Sequence, residues 1–391
     1  MRWQVGLVAI GLVLSSCTAP SDTATTVEET RPGRLAVIDG DGSVVVMHGD
    51  GSNRVEIAKT DTEDPRVYAQ PIWSPDGSLL SWAQMTSTGF AYVIQPADGG
   101  PPTEISMSAF PFYAYWSPTG EQIGLLRNGE NEVVLELADV AAGRSSIVDA
   151  DVPYYFSWSP TGDELIAHAG ANRLVSRDAD GTQTVQRSTG SGYLAPQWVA
   201  DGVIHINEDQ LVLTDADGGS ATLARVTGLT IFVANSQGTR VALQSLAQDG
   251  AVAAALSQAS TVPTNSAQVL DIATAELTQV TDRPAAGLFW SPDGNSLLVL
   301  GTDESGSSLT ASVWDGETMQ DYVDYVPSSV QVRDLFPFFP QYAQSLSFWS
   351  ADSSAFVLVG EIEDESGVWV QTLGEPEPAM VSSGSWAAWS P

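Results

Sequence analysis

Ala69-Gln70-Pro71-Ile72-Trp73-Ser74-Pro75-Asp76-Gly77 is an extended segment that runs into a tight turn. Pro presets φ at the second turn position and Gly tolerates the fourth. The turn returns as Trp116-Ser117-Pro118-Thr119-Gly120, Trp158-Ser159-Pro160-Thr161-Gly162 and Trp290-Ser291-Pro292-Asp293-Gly294. Weaker copies begin at Trp198, Val233 and Trp349, and Trp389-Ser390-Pro391 ends the chain. Most copies stand roughly 35–43 residues apart, with two gaps of about 58, a period that marks stacked supersecondary units.

The same order of segments follows each turn. An apolar strand comes next, as in Leu79-Leu80-Ser81-Trp82 or Ser296-Leu297-Leu298-Val299-Leu300. A third strand such as Gln210 to Thr214 then leads into an Asp-x-Asp-Gly hairpin, at Asp178 to Gly181 and Asp215 to Gly218. A short fourth strand, for example Glu276 to Val280, closes the unit. Four antiparallel strands per repeat predict an all-β propeller with no long amphipathic helix. The two ends of the body complement each other. Arg34 to Ile38, Ser43 to Met47 and Arg54 to Ala58 read as second to fourth strands, whereas Trp386 to Ser390 reads as a first strand alone. The expectation is eight blades, one of them stitched from both termini, or seven if the copy at Val233 forms none.

The Trp-Ser-Pro-Asp-Gly turn, the apolar strand after it and the later Asp-x-Asp-Gly hairpin resemble the TolB-type, WD-like β-propeller repeat. The resemblance covers about Arg34 to Pro391. It implies a fold rather than one function, since such propellers include periplasmic envelope subunits, domains attached to peptidases, and polysaccharide lyases.

The N-terminus reads as a leader. Arg2 precedes the short apolar run Val5 to Leu14, and Leu14-Ser15-Ser16-Cys17 resembles the lipobox of bacterial lipoproteins. That resemblance implies a signal peptide over 1–16 and a diacylglycerol on Cys17, the only cysteine of the chain. Residues 17–32 are the lipidated cysteine and a Ser-, Thr- and Pro-rich tether able to hold the body (33–391) roughly 20 Å from a membrane. The expected location is extracytoplasmic, on a bacterial cell membrane or outer membrane.

Charge narrows the partners. The chain carries 48 Asp+Glu against 15 Lys+Arg, and Lys59 is its only lysine. Such a surface repels nucleic acid. An apolar fraction of 43% supplies ample core, so the acidity does not signal disorder.

No catalytic set stands out. His48, His168 and His205 fall on strands of three different units, and no Gly-x-Ser-x-Gly elbow is present. The Asp39-Gly40-Asp41-Gly42 and Asp215-to-Gly218 turns lack the further ligands of a calcium loop, so no metal and no cofactor are assigned. The links that carry each outer strand to the next inner one are more informative. They concentrate Arg66, Tyr68, Phe112, Tyr113, Tyr155, Tyr193, Arg283, Arg333, Phe336, Phe338, Phe339 and Tyr342, with Arg187 nearby. Aromatic and Arg side chains are what binding hot spots favour, and these arginines would form a local positive spot on an acidic body. Tyr322 to Ser345 exceeds ordinary connection lengths and is the leading segment. The 248–266 insertion reads as a mobile excursion. The expected role is a non-enzymatic, monomeric module that binds an envelope protein, peptide or glycan. The alternatives are an enzyme acting on polysaccharide or peptidoglycan at the channel mouth, and a structural subunit of an envelope complex.

Overall fold

In the computed structural model the Trp-Ser turns are each locked by their own serine, and Asn235 Oδ1 takes that place in the Val233 copy by accepting the Thr239 and Arg240 N–H groups. Ser74 Oγ accepts the Leu79 N–H at 2.9 Å and donates to Asp76 Oδ1 at 2.6 Å, while Gly77 closes the turn at φ +66°. Ser291 repeats this with Ser296 N and Asp293, and Ser350 with Ala355 N and Asp352. The weak copy at Trp349 thus keeps the chemistry of the turn although Pro is replaced by Ala351.

The structure describes residues 33–61, 63, 65–179, 181, 184–188, 195–226, 229–246, 266–302 and 308–391. The leader, Cys17 and the tether lie outside them, as do Tyr193, the side chain of Arg187 and nearly all of the 248–266 insertion.

The unit led by Trp73 is a four-stranded antiparallel meander: Val67–Trp73, Leu79–Thr86, Gly89–Pro96 and Thr103–Met107. The units of Trp116, Trp158 and Trp198 repeat it. The copy at Val233 also has a complete sheet, made of Leu229–Ala234, Arg240–Leu246, Ala267–Asp271 and Leu277–Thr281. In the Trp290 unit the outer strand, Met319–Pro327, runs on to pair with Ala355–Ile362 of the next unit, giving one seven-stranded sheet. The Trp349 unit keeps only a single bridge, Trp349 to Phe356, in place of a first strand. The last sheet joins both ends of the body, with Gly384–Trp389 pairing antiparallel to Arg34–Asp39.

Inner strands are near-continuous apolar runs because neighbouring sheets cover both their faces, and Leu80, Ile123, Leu165 and Leu298 are fully buried. Outer strands such as Thr103–Met107 alternate between buried and exposed. The motif tryptophans stitch one unit to the previous one. Trp73 Nε1 donates to Ala388 O, Trp158 Nε1 to Tyr115 O, Trp290 Nε1 to Val233 O and Trp349 Nε1 to Phe289 O, all at 2.9–3.0 Å. Trp116 Nε1 reaches Ser81 Oγ at 2.9 Å, whereas Trp389 is tied through its backbone N–H, which donates to Ser347 O at 3.0 Å.

After Pro327 the long link turns inward as three short helical pieces, Gln331–Leu335, Phe336–Phe338 and Phe339–Tyr342. No helix among the described residues is long and apolar enough to cross a membrane.

Candidate binding cavity

The link's polar hook is Gln341. It follows two aromatic residues and a proline, and it is 3% exposed. Its Nε2 donates to Tyr113 Oη at 2.8 Å and to Phe156 O at 2.7 Å, and its Oε1 accepts the Phe156 N–H at 3.0 Å. Tyr342 continues the clamp. Its hydroxyl donates to Phe112 O at 2.9 Å and accepts from Gln70 Nε2 at 2.8 Å. On the opposite side Phe339 packs near Phe289, which stacks on Phe348 at 4.1 Å. The link therefore fills the space among the inner strands and ties together units that are distant in sequence.

This leaves a cavity on each side of the link. On the motif side, about 500 Å³ is ringed by the Trp-Ser-Pro turns and Ala343 to Trp349. On the other side, a cavity of about 870 Å³ lies between the link and the inner strands of four consecutive units, those of Trp389, Trp73, Trp116 and Trp158. Its walls are mostly apolar, and Val67, Met85, Val152 and Phe338 stand exposed around it. Bulges in the inner strands, at Ala69/Ile72 and Pro111/Tyr113, turn side chains toward it. Gln70, on the first of these bulges, holds a positive φ of 54°, a conformation that a non-glycine residue keeps only when its surroundings impose it.

Seven of the residues singled out in the sequence meet around this cavity: Tyr68, Phe112, Tyr113, Tyr155, Arg333, Phe338 and Tyr342. Their exposure divides them. Tyr68, Tyr113 and Tyr342 are buried, Phe112 and Tyr155 are half-buried, and Phe338 is 46% exposed. Burial pushes the Tyr113, Tyr155 and Tyr342 phenols above the ordinary range, so these hydroxyls stay neutral donors. Phe339, beside Phe338, is 2% exposed and belongs to the core. Phe336 and Arg283 sit by two smaller depressions elsewhere, and Arg66 directly precedes Val67 without lining the cavity. The positive spot does not form here. Arg333 is held by both oxygens of Asp334, at 2.7 and 2.6 Å. Gln341 is not among the residues singled out in the sequence, and Gln70 and Trp386 figure there only as strand residues, yet all three line the cavity. The signal for Gln341 was an amide placed inside Phe338-Phe339-Pro340-Gln341-Tyr342, where burial obliges it to find partners.

The Asp-rich turns serve the backbone. Asp41 Oδ1 accepts the Ser43 N–H at 2.8 Å, and Asp215 Oδ1 accepts the Gly219 N–H at 2.7 Å. His168 and His205 are buried on the second strands of adjacent units, and burial lowers the His205 pKa. No group of three or more His, Cys, Asp or Glu able to hold a metal occurs among the described residues.

No protein-family model matches this sequence, and neither does any curated protein. Solved structures do align. The β-propeller domain of the trilobed protease from Pyrococcus furiosus superposes with a TM-score of 0.52 at 13% identity, over 82% of this chain and 99% of its own. The chain has a β-propeller fold. An oligogalacturonate lyase in complex with manganese aligns at TM-score 0.53 and 14% identity, over 88% of this chain and 97% of its own. TolB from Acinetobacter baumannii aligns more loosely, at TM-score 0.42 and 15% identity over 71% and 75%. At these identities the protease propeller and the lyase speak for the propeller fold alone, and the motif-led units are its blades.

Proposed function

We propose that this β-propeller is a lipid-anchored extracytoplasmic binding protein of TolB type, held to a bacterial membrane through Cys17, that receives an envelope partner in the cavity beside Phe338. The observation that carries the reading is the cavity itself. About 870 Å³ of mostly apolar space is preformed between rigid inner strands and a hydrogen-bonded link, and aromatic side chains border it. A site of this kind costs little ordering on binding.

The scaffold we propose has eight blades in a ring. The Val233 copy has its own four strands, and the Trp349 copy builds a sheet from three strands and one bridge. Closure is supported by the Trp389 backbone N–H bonding Ser347 O on one side and Ala388 O receiving the Trp73 indole on the other. We favour binding over catalysis because the phenols that line the cavity are held neutral by burial and Asp334 is engaged by Arg333.

The test is photo-crosslinking in intact envelopes, with p-benzoylphenylalanine at position 338 and, as control, at Ile147, which is 62% exposed on an outer strand. The reading expects a discrete adduct from 338 and none from 147. No adduct at 338, or the same pattern at both, overturns it. Cys17→Ala is expected to move the protein from the membrane fraction to the soluble fraction, and continued membrane retention would count against the anchor.

A further inference from the structure

The rim of the large cavity differs in chemistry from its walls. The hairpin joining Asn128 to Val133, both of which line the cavity, carries exposed Glu130 and Glu132. Thr60 Oγ1 donates to Arg66 O at 3.3 Å, just before Val67, and Asp61 and Glu63, which fall between them in sequence, are exposed. Asp151 precedes Val152, and Asp334 stands on the link. Two of these carboxylates are balanced, Asp334 by Arg333 at 2.7 and 2.6 Å and Asp151 by Arg173 at 2.8 Å. The acidic excess of the rim therefore rests on Glu130 and Glu132 and on Asp61 and Glu63, the last two with Arg66 and Lys59 nearby in the chain.

We infer that the occupant is a polypeptide segment that seats a large apolar side chain in the cavity and carries lysine or arginine on either side of it. This rests on the binding role proposed for the cavity and adds the chemistry of the partner. The apolar walls supply affinity through burial, and the carboxylate rim supplies orientation and a faster encounter for a cationic segment. A glycan fits less well, because the walls offer few hydrogen-bonding groups and those of Gln341, Gln70 and Tyr342 are already engaged. A polyanion is repelled by the rim.

The experiment is fluorescence anisotropy on the full chain carrying Cys17→Ser, so that no acyl chain competes for the cavity. Three synthetic peptides serve as probes: a Trp-Leu-Trp-Leu centre flanked by lysines, the same centre flanked by glutamates, and a serine centre flanked by lysines. The lysine-flanked apolar peptide is expected to bind at least about tenfold more tightly at low salt than either of the others, with the margin over the glutamate form shrinking at high salt. Glu130→Gln with Glu132→Gln should cut that margin several-fold, and Phe338→Ala should weaken both apolar peptides. Equal binding of the lysine and glutamate forms, still lost in Phe338→Ala, overturns the cationic inference and leaves the cavity reading standing. Binding of the lysine form that ignores Phe338→Ala, or that the serine-centred peptide matches, is adhesion to an acidic protein and overturns both.

Discussion

The two cavities on either side of the Gln341 clamp are built from opposite kinds of sequence. On the motif side most of the wall is supplied by repetition, by tryptophans that reach the previous blade and serines that close their own turns, with Ala343 to Phe348 of the link completing it. On the link side the contacts are particular to single residues. Gln341 holds Tyr113 and Phe156, and the Tyr342 hydroxyl joins Gln70 to Phe112 O. Repetition spreads stability over many equivalent contacts, as expected of units that each touch mainly their neighbours. Single residues concentrate it, and they also concentrate whatever is specific to this chain.

The comparison can be broken at several points. The largest effect is expected from deleting Trp386 to Pro391, which removes the first strand of the blade that joins both ends. Loss of cooperative melting, or aggregation, is the predicted outcome in a thermal scan, and an unchanged melt would sink the ring closure. Gln341→Ala comes next. It strips three buried hydrogen bonds from the link and leaves the Phe156 backbone groups without partners, which should cost about 2–3 kcal/mol in urea unfolding. By contrast Trp290→Phe keeps most of the ring and loses one indole bond to Val233 O, and about 1 kcal/mol is expected. If Trp290→Phe costs more than Gln341→Ala, repeated contacts are not the interchangeable ones.

The smallest effect is on pH dependence. The Ser74 hydroxyl and the Ser78 N–H hold the Asp76 carboxyl below its ordinary 3.8, and the Ser350 hydroxyl and Ser354 act likewise on Asp352. A depressed folded-state pKa contributes stability above the unfolded value, and that contribution is lost as pH falls through the folded one. Both groups are mostly exposed, so solvent weakens the contribution. Asp76→Asn should therefore melt slightly below the parent near pH 6, and the gap should close as the pH falls below the ordinary 3.8 and through the lower folded-state value. A constant gap across that window would show that the carboxylate charge plays no part.

How much of this was legible follows from the same contrast. The turn, the strand order, the sheet shared by both ends and even the weak Val233 blade can be read from residues that recur with a fixed geometry. For the site, sequence could gather aromatic residues onto the links but could not rank them. Phe338 and Phe339 are adjacent and chemically identical, yet the turn from one helical piece to the next sends one ring toward the cavity and the other against Phe289. The arginines misled for a related reason. Arg333 lies beside Asp334, and only the side-chain geometry shows that this pair closes on itself.

That adjacent pair gives the most direct test. Phe338→Ala and Phe339→Ala would be compared in the same chain for urea unfolding and for binding of the lysine-flanked Trp-Leu-Trp-Leu peptide. The account predicts that Phe338→Ala changes stability by less than about 1 kcal/mol and loses most of the binding, whereas Phe339→Ala costs about 3–5 kcal/mol. If Phe338→Ala unfolds as readily as Phe339→Ala, or binds the peptide as well as the parent, the cavity is packing and the binding face lies elsewhere.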